Sequence, residues 1–284
     1  DIRDCHLEFG DTFLYPKFKE GEGLEMFEVV VANPPWNQDG YDESVLKKGE
    51  FWRERFGFGF VPRQSADWAW IQHMLASAKD DGSRVGIVID NGCLFRGSKE
   101  KAVRSAVLSE KHDLVECVIL LPEKLFYNTG APGAIIVFNK HKPVERKGKV
   151  LFVNASREFE QHPEVRKLNI LGNGHIEKIA GVYRSFGEEK GFSRVVGLDE
   201  IRQNDYNLNL TLYVMEDEEG EDPKILSVLV NDTRFDGIKN LSDIHPHKLR
   251  EIQEFFEIYK RLEPKKWTKF KEWRNAEEAK KMIG

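Results

Sequence analysis

The sequence predicts an α/β fold built on a doubly wound sheet. Between residues 27 and 155, short apolar runs rich in β-branched residues alternate with stretches of helical periodicity. This alternation is typical of strands joined by helices that pack on a sheet. Residues 114–121 and 134–138, the third and fourth strands of this sheet, are joined by a segment too short for a crossover helix. We therefore expect these two strands to be antiparallel neighbours.

The amino-terminal part of the chain predicts two strands, at residues 5–9 and 27–32. The second is short, apolar and β-branched, so we expect it to be buried in the sheet. Pro34 and Pro35 end it at once, since proline can continue neither a strand ladder nor a helix. Asn33 is thereby fixed at the carboxyl end of a strand, where open α/β sheets bind their ligands.

The residue types in Asn33-Pro34-Pro35-Trp36 suit chemistry on an exocyclic amine such as that of adenine. This nitrogen is a poor nucleophile because its lone pair is delocalised into the ring. The Asn33 side-chain oxygen and the Pro34 carbonyl can accept its two hydrogens, which favours a tetrahedral nitrogen and stabilises the charge that develops on transfer. The prolines preorganise these acceptors, and Trp36 offers a face for a flipped base. The alternative is a strand that ends in a proline turn without a function.

Three further residues are candidate contacts to a base or a cofactor. Asp11 follows the first predicted strand, and its carboxylate can accept from the adenine amino group of a cofactor, although a turn role is commoner for such an aspartate taken alone. Phe126 and Tyr127 lie between the third and fourth strands, where one of them can form the second wall of a base-stacking slot opposite Trp36. The alternative for these two aromatics is a hydrophobic plug on the sheet edge.

The other elements continue the alternation. Residues 67–78 predict a helix whose apolar face belongs to the core. The long segment 37–65 predicts either a loop that faces the active site or DNA, or a loop packed on its own aromatic side chains. The remaining predicted elements are strands at residues 85–89 and 149–155 and helices at residues 99–109 and 175–184.

The composition, 40% hydrophobic and 32% charged in 284 residues, is that of a globular protein. The net charge of −5 disfavours a chain that holds duplex DNA by itself, so we expect a partner or a local patch to supply basic surface. Cys5, Cys93 and Cys117 lack the spacing of a zinc site, which fits a reduced, cytoplasmic protein. Since no apolar run is long enough to span a bilayer, we expect no membrane association.

These features resemble a known family. Residues 29–36, which end in Asn-Pro-Pro-Trp, are similar to motif IV of amino-group (N6-adenine) DNA methyltransferases. More specifically, residues 1–214 resemble the modification subunit of type I restriction-modification systems. The similar stretches are residues 10–13, 72–75, 91–97, 121–130, 175–179 and 204–209. Because this set is ordered and spread over most of the chain, it is far more specific than the tetrapeptide alone.

The resemblance implies a fold, a reaction and partners. The fold is a Rossmann-like class I methyltransferase sheet with helices on both faces, of which this chain carries a part. The reaction is direct methyl transfer from S-adenosylmethionine to a flipped adenine, without a metal. The implied partners are double-stranded DNA, a specificity subunit that reads the target sequence and a restriction subunit.

The resemblance also implies roles for the candidate residues. The four residues of the Asn-Pro-Pro-Trp motif form the target-adenine site, with Pro35 shaping the turn. Asp11 stands where the family's motif III acid contacts the adenine of the cofactor. Phe126 or Tyr127 supplies the second stacking wall, and Phe126 is preferred.

The sequence departs from the family pattern at one point. The glycine-rich motif I and the acid that binds the cofactor ribose precede Asp11 in the family, and neither is in this sequence. The corresponding strands lie centrally in the family's sheet, between residues 5–9 and residues 27–32. We therefore expect a split sheet with unpaired edges and exposed apolar faces. We also expect that this chain alone neither binds S-adenosylmethionine tightly nor methylates DNA unless the missing part is supplied in trans.

Residues 215–284 show a different pattern. An acidic run at residues 215–222 precedes a predicted strand at 224–230 and a predicted amphipathic helix at 249–262. The segment resembles the carboxyl-terminal part of family I soluble inorganic pyrophosphatases. The similar stretches are residues 215–226, 238–243, 255–260 and 273–281.

This second resemblance implies a metal and phosphate site. Asp217 and Asp222 would bind Mg²⁺, and Lys224, Tyr259 and Lys260 would contact phosphate. The family's amino-terminal barrel strands, which carry further site residues, are not in this sequence. We therefore expect no pyrophosphatase activity from this segment alone. Rapid magnesium-dependent phosphate release that Asp222→Ala abolishes would contradict this expectation.

The predicted domains are the carboxyl-terminal portion of a methyltransferase catalytic domain (residues 1–148), an α/β extension (149–214) and a small α/β pyrophosphatase-like segment (215–284). The leading functional prediction is N6-adenine methylation of DNA. Two alternatives stay open. One is a non-catalytic assembly or DNA-binding module of a restriction-modification complex, and the other is a pyrophosphatase-related chain that binds magnesium and phosphate.

Overall fold

The protein is divided into two compact units, Asp1–Asp217 and Glu218–Gly284. The computed structural model describes residues 5–127, 129–214, 224–227, 232–258 and 270–283. The strands of the first unit are β1 (Lys19–Glu20), β2 (Gly23–Leu24), β3 (Val29–Ala32), β4 (Arg84–Asp90), β5 (Val115–Leu120), β6 (Gly133–Asn139), β7 (Lys149–Asn154), β8 (Glu160–Gln161), β9 (Asn169–Ile170) and β10 (Ser193–Gly197). Its helices are α1 (Glu43–Leu46), α2 (Trp52–Arg55), α3 (Asp67–Ala76), α4 (Ser98–Val107), α5 (Asn173–Ser185) and α6 (Leu198–Gln203).

The first unit is built on a six-stranded mixed sheet with the strand order β10-β7-β5-β6-β4-β3. The pairs β3–β4 and β5–β7 are parallel, whereas β6 runs antiparallel to both of its neighbours. The expected antiparallel pairing of β5 with β6 is therefore confirmed. Strand β6 thus lies between two strands that run in the opposite direction. The mixed sheet with its helices confirms the predicted α/β class.

Both faces of the sheet are covered by helices. On one face, Trp68 of α3 and Val103 of α4 are fully buried in a core with Ile87 of β4. On the other face, Ile179 of α5 packs with Cys117 and other residues of β5 and β7. Alternate residues of each strand point to opposite faces, which is why the central strands are apolar along their whole length.

The remaining predicted elements between residues 67 and 185 are confirmed, with bounds shifted by at most two residues. The predicted helix at residues 67–78 is α3, and its apolar face is buried as expected. The segment 37–65 contains two short helices and packs partly on its own aromatics. The ring centroids of Trp52 and Phe60 lie 6.0 Å apart, and those of Phe56 and Phe60 lie 6.4 Å apart.

The strand before Asn33 lies at the edge of the sheet, so the prediction that it is buried is wrong. Strand β3 pairs with β4 and with no second strand in the described part of the chain. Val29 and Val31 are 65% and 74% exposed, although both are β-branched and apolar. This exposure confirms the expected unpaired sheet edge. The expectation of a split sheet is wrong, because all six strands form one continuous sheet. An apolar sequence pattern indicates that a strand needs cover, but not whether cover is present.

Residues 5–9 form no strand, so the strand predicted there is wrong. Leu7 and Phe9 are almost fully exposed. A strand requires a hydrogen-bonded neighbour, and the edge of the sheet at β3 is paired only with β4 among the described residues. The segment has the apolar pattern of a strand, but no described element pairs with it.

The second unit is helical in its described residues. It contains α7 (Pro246–Ile258), α8 (Ala276–Ile283) and two short 3₁₀ turns, Thr233–Phe235 and Leu241–Asp243. The strand predicted from residue 224 is wrong at residues 224–227, which carry no regular structure, and residues 228–230 lie outside the described residues. The described residues of this segment therefore show helices rather than the predicted α/β mixture. None of the helices described in either unit combines the length and apolarity needed to cross a membrane.

Histidine 73 makes the stability of the first unit dependent on pH. Burial and the nearby charge of Arg55 lower the pKa of His73 to about 4, whereas an unfolded histidine titrates near pH 6.5. Between these values only the unfolded chain binds the proton, so the free energy of unfolding falls as the pH is lowered. We expect wild type to lose about 2 kcal/mol more than His73→Gln between pH 7 and pH 5, measured by urea unfolding.

The exposed His141 provides the matched control for this comparison. His141→Gln is expected to keep the pH dependence of wild type. Equal pH dependence in wild type and His73→Gln would show that His73 is not buried as described.

Candidate active site

The Asn-Pro-Pro-Trp segment lies at the carboxyl edge of the sheet, directly after β3. Since β3 and β4 are parallel, the turn after β4 ends at the same edge. Pro34 is buried, whereas Asn33 and Pro35 are exposed. Burial of one proline anchors the turn, and exposure of Asn33 leaves its side chain accessible to a ligand.

Asn33 and Trp36 are joined by a hydrogen bond within this turn. The indole Nε1 of Trp36 donates to Oδ1 of Asn33 at 3.1 Å. The Trp36 ring in turn contacts Phe126, with ring centroids 4.7 Å apart and an interplanar angle of 70°. The structure thus brings together three of the residues that the sequence singled out, two from the turn after β3 and one from the loop between β5 and β6.

Gly133 at the start of β6 makes this ring contact possible. A Cβ atom there would lie 2.8 Å from Cη2 of Trp36 and 2.9 Å from Cε2 of Phe126. Neither distance is tolerated between carbon atoms. By contrast, Tyr127 is 80% exposed and is separate from this group, so of the two candidate aromatics only Phe126 packs on Trp36.

A buried network of ion pairs holds the backbone that follows the Asn-Pro-Pro-Trp turn. The backbone N–H of Asn37 donates to Oδ1 of Asp67 at 2.9 Å, and Asn37 has a left-handed backbone with φ of 52°. Asp67 is fully buried, and its other oxygen accepts from Arg96. Arg96 also donates to Asp90 at 2.7 Å and to Glu100 at 2.8 Å. Arg96 is therefore the common partner of three carboxylates, and one of them holds the residue that follows Trp36.

Burial and ion pairing act against each other on the pKa values of this network. Burial raises the pKa of the Asp67 carboxyl, against the hydrogen bond from Asn37 and the charge of Arg96. Burial also works against the charge of Arg96, yet pairing with Glu100, Asp67 and Asp90 raises the pKa of its guanidinium above the ordinary value. Sequence reasoning assigned no role to Arg96, Asp67 or Gly133. The only local sequence signal for this network was the four-residue spacing of Arg96 and Glu100, which is typical of an ion pair.

Asp11 is occupied by contacts within the chain. Its Oδ1 accepts from the backbone N–H groups of Phe13 and Leu14 at 2.9 and 3.0 Å, and its Oδ2 accepts from the Tyr41 hydroxyl at 2.9 Å. Burial and Asp11 together raise the pKa of Tyr41. These contacts are those of a turn aspartate. A carboxylate offers about four acceptor positions, so a contact from Asp11 to a cofactor stays a prediction.

The candidate residues of the pyrophosphatase-like segment (215–284) are only partly described. Asp217, Asp222, Tyr259 and Lys260 lie outside the described residues, and Lys224 lies in a segment without regular structure. Within the described residues, no group of three or more His, Cys, Asp or Glu side chains is arranged to hold a metal ion. The Mg²⁺ and phosphate contacts of this segment stay predictions.

A mixed α/β sheet with an Asn-Pro-Pro-Trp turn at its carboxyl edge defines the first unit as a domain of the nucleic-acid amino-methyltransferase kind. Residues 1–222 match the family model described as N-6 DNA Methylase. The chain belongs to this family. Residues 209–284 match the family model described as Inorganic pyrophosphatase.

Comparison with individual proteins agrees with this division. The chain is 50% identical over 226 residues to the type I restriction enzyme MjaVIII methylase subunit of Methanocaldococcus jannaschii, covering 78% of this chain and 38% of that protein. The crystal structure of the type I restriction-modification system methyltransferase subunit from Streptococcus thermophilus is 31% identical with a TM-score of 0.61, covering 72% of this chain and 41% of that one. The chain thus spans about two fifths of the length of these two relatives.

The carboxyl-terminal segment has its own relatives. It is 44% identical over 70 residues to the inorganic pyrophosphatase of Thermus thermophilus, covering 24% of this chain and 40% of that protein. The match is partial on both sides. The two family-model matches overlap over residues 209–222.

Proposed function

We propose that this chain contributes the target-base half of an enzyme that transfers a methyl group from S-adenosylmethionine to N6 of an adenine flipped out of DNA. The observation that carries the proposal is the position of Asn33, exposed at the carboxyl edge of the sheet, with Trp36 and Phe126 beside it. Relatives that are named type I restriction enzyme methylase subunits support the reaction class.

In this proposal Asn33 and Pro34 act on the amino group of the target adenine. Oδ1 of Asn33 and the carbonyl oxygen of Pro34 accept its two hydrogens, which draws the nitrogen lone pair out of conjugation. The same two oxygens stabilise the positive charge that develops on the nitrogen as its bond to the methyl carbon forms. The nitrogen then loses one of its two protons to solvent, which leaves the neutral methylated amine. The cofactor, when bound, supplies a methyl group on a sulfonium, and the sulfur keeps the electron pair of the broken bond. Trp36 and Phe126 hold the base by stacking.

The described residues offer few contacts to the cofactor. Asp11 has one acceptor position left after its three contacts within the chain, and the sequence contains no glycine-rich motif I. We therefore propose that the cofactor site is completed by a segment outside the matched 38% of relatives such as the MjaVIII subunit. The acidic net charge fits further partners in the cytoplasm, namely a specificity subunit that reads DNA and a restriction subunit.

The proposal is tested by calorimetric titration with S-adenosylmethionine. We expect no micromolar binding by this chain alone. We expect micromolar binding once the chain is mixed with the amino-terminal segment of the M. jannaschii relative, because the shared edge at β3 then has a strand to pair with. The amino-terminal segment alone is the control. Absence of binding in the mixture, with a complex confirmed by sedimentation, would contradict the proposal and favour a non-catalytic assembly module.

A further inference from the structure

The place that a target base would take is already filled by a side chain of this protein. The Trp36 indole presents a planar aromatic N–H to Oδ1 of Asn33 at 3.1 Å. An adenine amino group would present the same kind of donor to the same oxygen. The lone pair of Oδ1 that accepts from the indole can accept from only one donor at a time. The indole N–H and the amino group of the base therefore compete for it.

The slot between the two aromatic rings has no room for a base in this arrangement. A base stacked between two aromatic faces requires about 7 Å between them, because each contact takes about 3.5 Å. The centroids of Trp36 and Phe126 are 4.7 Å apart, and the rings meet edge to face rather than in parallel. Gly133 lies against both rings, and its missing side chain is what allows them to approach.

We propose that Trp36 acts as an internal substitute for the target base, keeping the slot closed until a base with an amino group displaces it. The inference rests on the proposed function of Asn33 as the acceptor for that amino group. Trp36 is half-exposed, and it makes its contacts from a turn whose next residue is fixed by Asp67, so its side chain can move while the turn stays in place.

Displacement of Trp36 exposes Asn33, which discriminates between bases. A purine that carries an amino group at C6 replaces the hydrogen bond that Trp36 gives up. A purine with hydrogen or oxygen at C6 leaves Asn33 unpaired or facing another acceptor, and it must displace Trp36 without compensation. Closure lowers the apparent affinity for every base by the same factor, which is set by the fraction of the chain in which the slot is open. The difference between bases comes from whether they satisfy Asn33 once Trp36 has moved.

The contact is tested by NMR on the full chain labelled with ¹⁵N at tryptophan, which gives six indole signals. The Trp36 signal is the one lost in Trp36→Phe. We expect Asn33→Ala to shift this signal and to raise the solvent exchange rate of its proton at least about tenfold, as loss of a hydrogen bond allows. Trp70, whose Nε1 donates to Oε1 of Gln38 at 3.0 Å, is the internal reference and is expected to stay in place. An unchanged Trp36 signal in Asn33→Ala would overturn the inference.

A second variant tests closure without changing Asn33 or Trp36. Gly133→Ala is expected to push the rings apart and to give the same change in the Trp36 signal. Gly97→Ala, where a Cβ would meet no atom within 4 Å, is the matched control and is expected to leave it unchanged. If both substitutions leave the Trp36 signal unchanged, the closed slot is not present in solution.

Displacement is tested with the complex of this chain and the amino-terminal segment of the relative. A DNA that the complex methylates is expected to move the Trp36 signal and to leave Trp70 in place. If the DNA is methylated and Trp36 does not move, the inference fails and the proposed function stands. If Trp36 responds to Asn33→Ala but no DNA is methylated, the proposed function fails, and the role of Trp36 as a substitute for a base fails with it.

Discussion

Replacing Asn33 with alanine is expected to lower the rate of methyl transfer to DNA by about 10²–10³-fold in the complex with the amino-terminal segment. The substitution removes an acceptor aimed at the charge that develops on the adenine nitrogen. Apart from the hydrogen bond from Trp36, it touches little else because Asn33 is exposed. The rate is measured with tritiated S-adenosylmethionine. The free energy of unfolding is expected to change by no more than about 0.5 kcal/mol.

The control for this experiment is Asn33→Asp, which keeps an acceptor oxygen and the volume of the side chain. It is expected to lose less activity than Asn33→Ala. Both variants are expected to bind the cofactor as wild type does, since Asn33 is proposed to contact the base and not the cofactor. An Asn33→Ala complex that keeps most of the wild-type rate would remove Asn33 from the catalytic site.

Replacing Arg96 with leucine is expected to lower the free energy of unfolding of the first unit by about 3–5 kcal/mol. Asp67 and Glu100 are almost fully buried, and Arg96 is the cation that pairs with both. Its removal leaves two carboxylates buried without their positive partner. The measurement is urea unfolding at pH 7.

The matched control for Arg96→Leu is Arg202→Leu. Arg202 also pairs with two carboxylates, Asp199 and Glu110, but all three side chains are exposed. Pairs of this kind contribute at most about 1 kcal/mol. Equal and small losses in the two variants would show that the Arg96 network is not a buried support of the Asn33 turn.

The fold of the first unit could largely be predicted from the sequence because its strands are short apolar runs between helices. Residues 134–138 were predicted as a strand from their apolar character, and as antiparallel from the length of the preceding loop alone. The error at β3 has a different origin. Val29 and Val31 carry the pattern of a buried strand, yet burial depends on a neighbouring strand that is not among the described residues.

The candidate site could be predicted only where its residues are adjacent in sequence. Asn33 and Trp36 stand three residues apart, and the motif they form has a chemical reason. The partnership of Arg96 with Asp67 joins residues 29 positions apart, and Gly133 meets Trp36 across the edge of the sheet. Such contacts depend on which strands are neighbours, which hydrophobic periodicity does not specify.

The measurement that tests the central claim most directly is mass spectrometry of the nucleosides in DNA treated with this chain, the amino-terminal segment of the relative and S-adenosylmethionine. We predict N6-methyladenine when both chains are present and none when either chain is used alone. N6-methyladenine from this chain alone would contradict the claim that it holds only half of the site. Unmodified adenine in DNA that the complete complex binds together with the cofactor would contradict the proposed function itself.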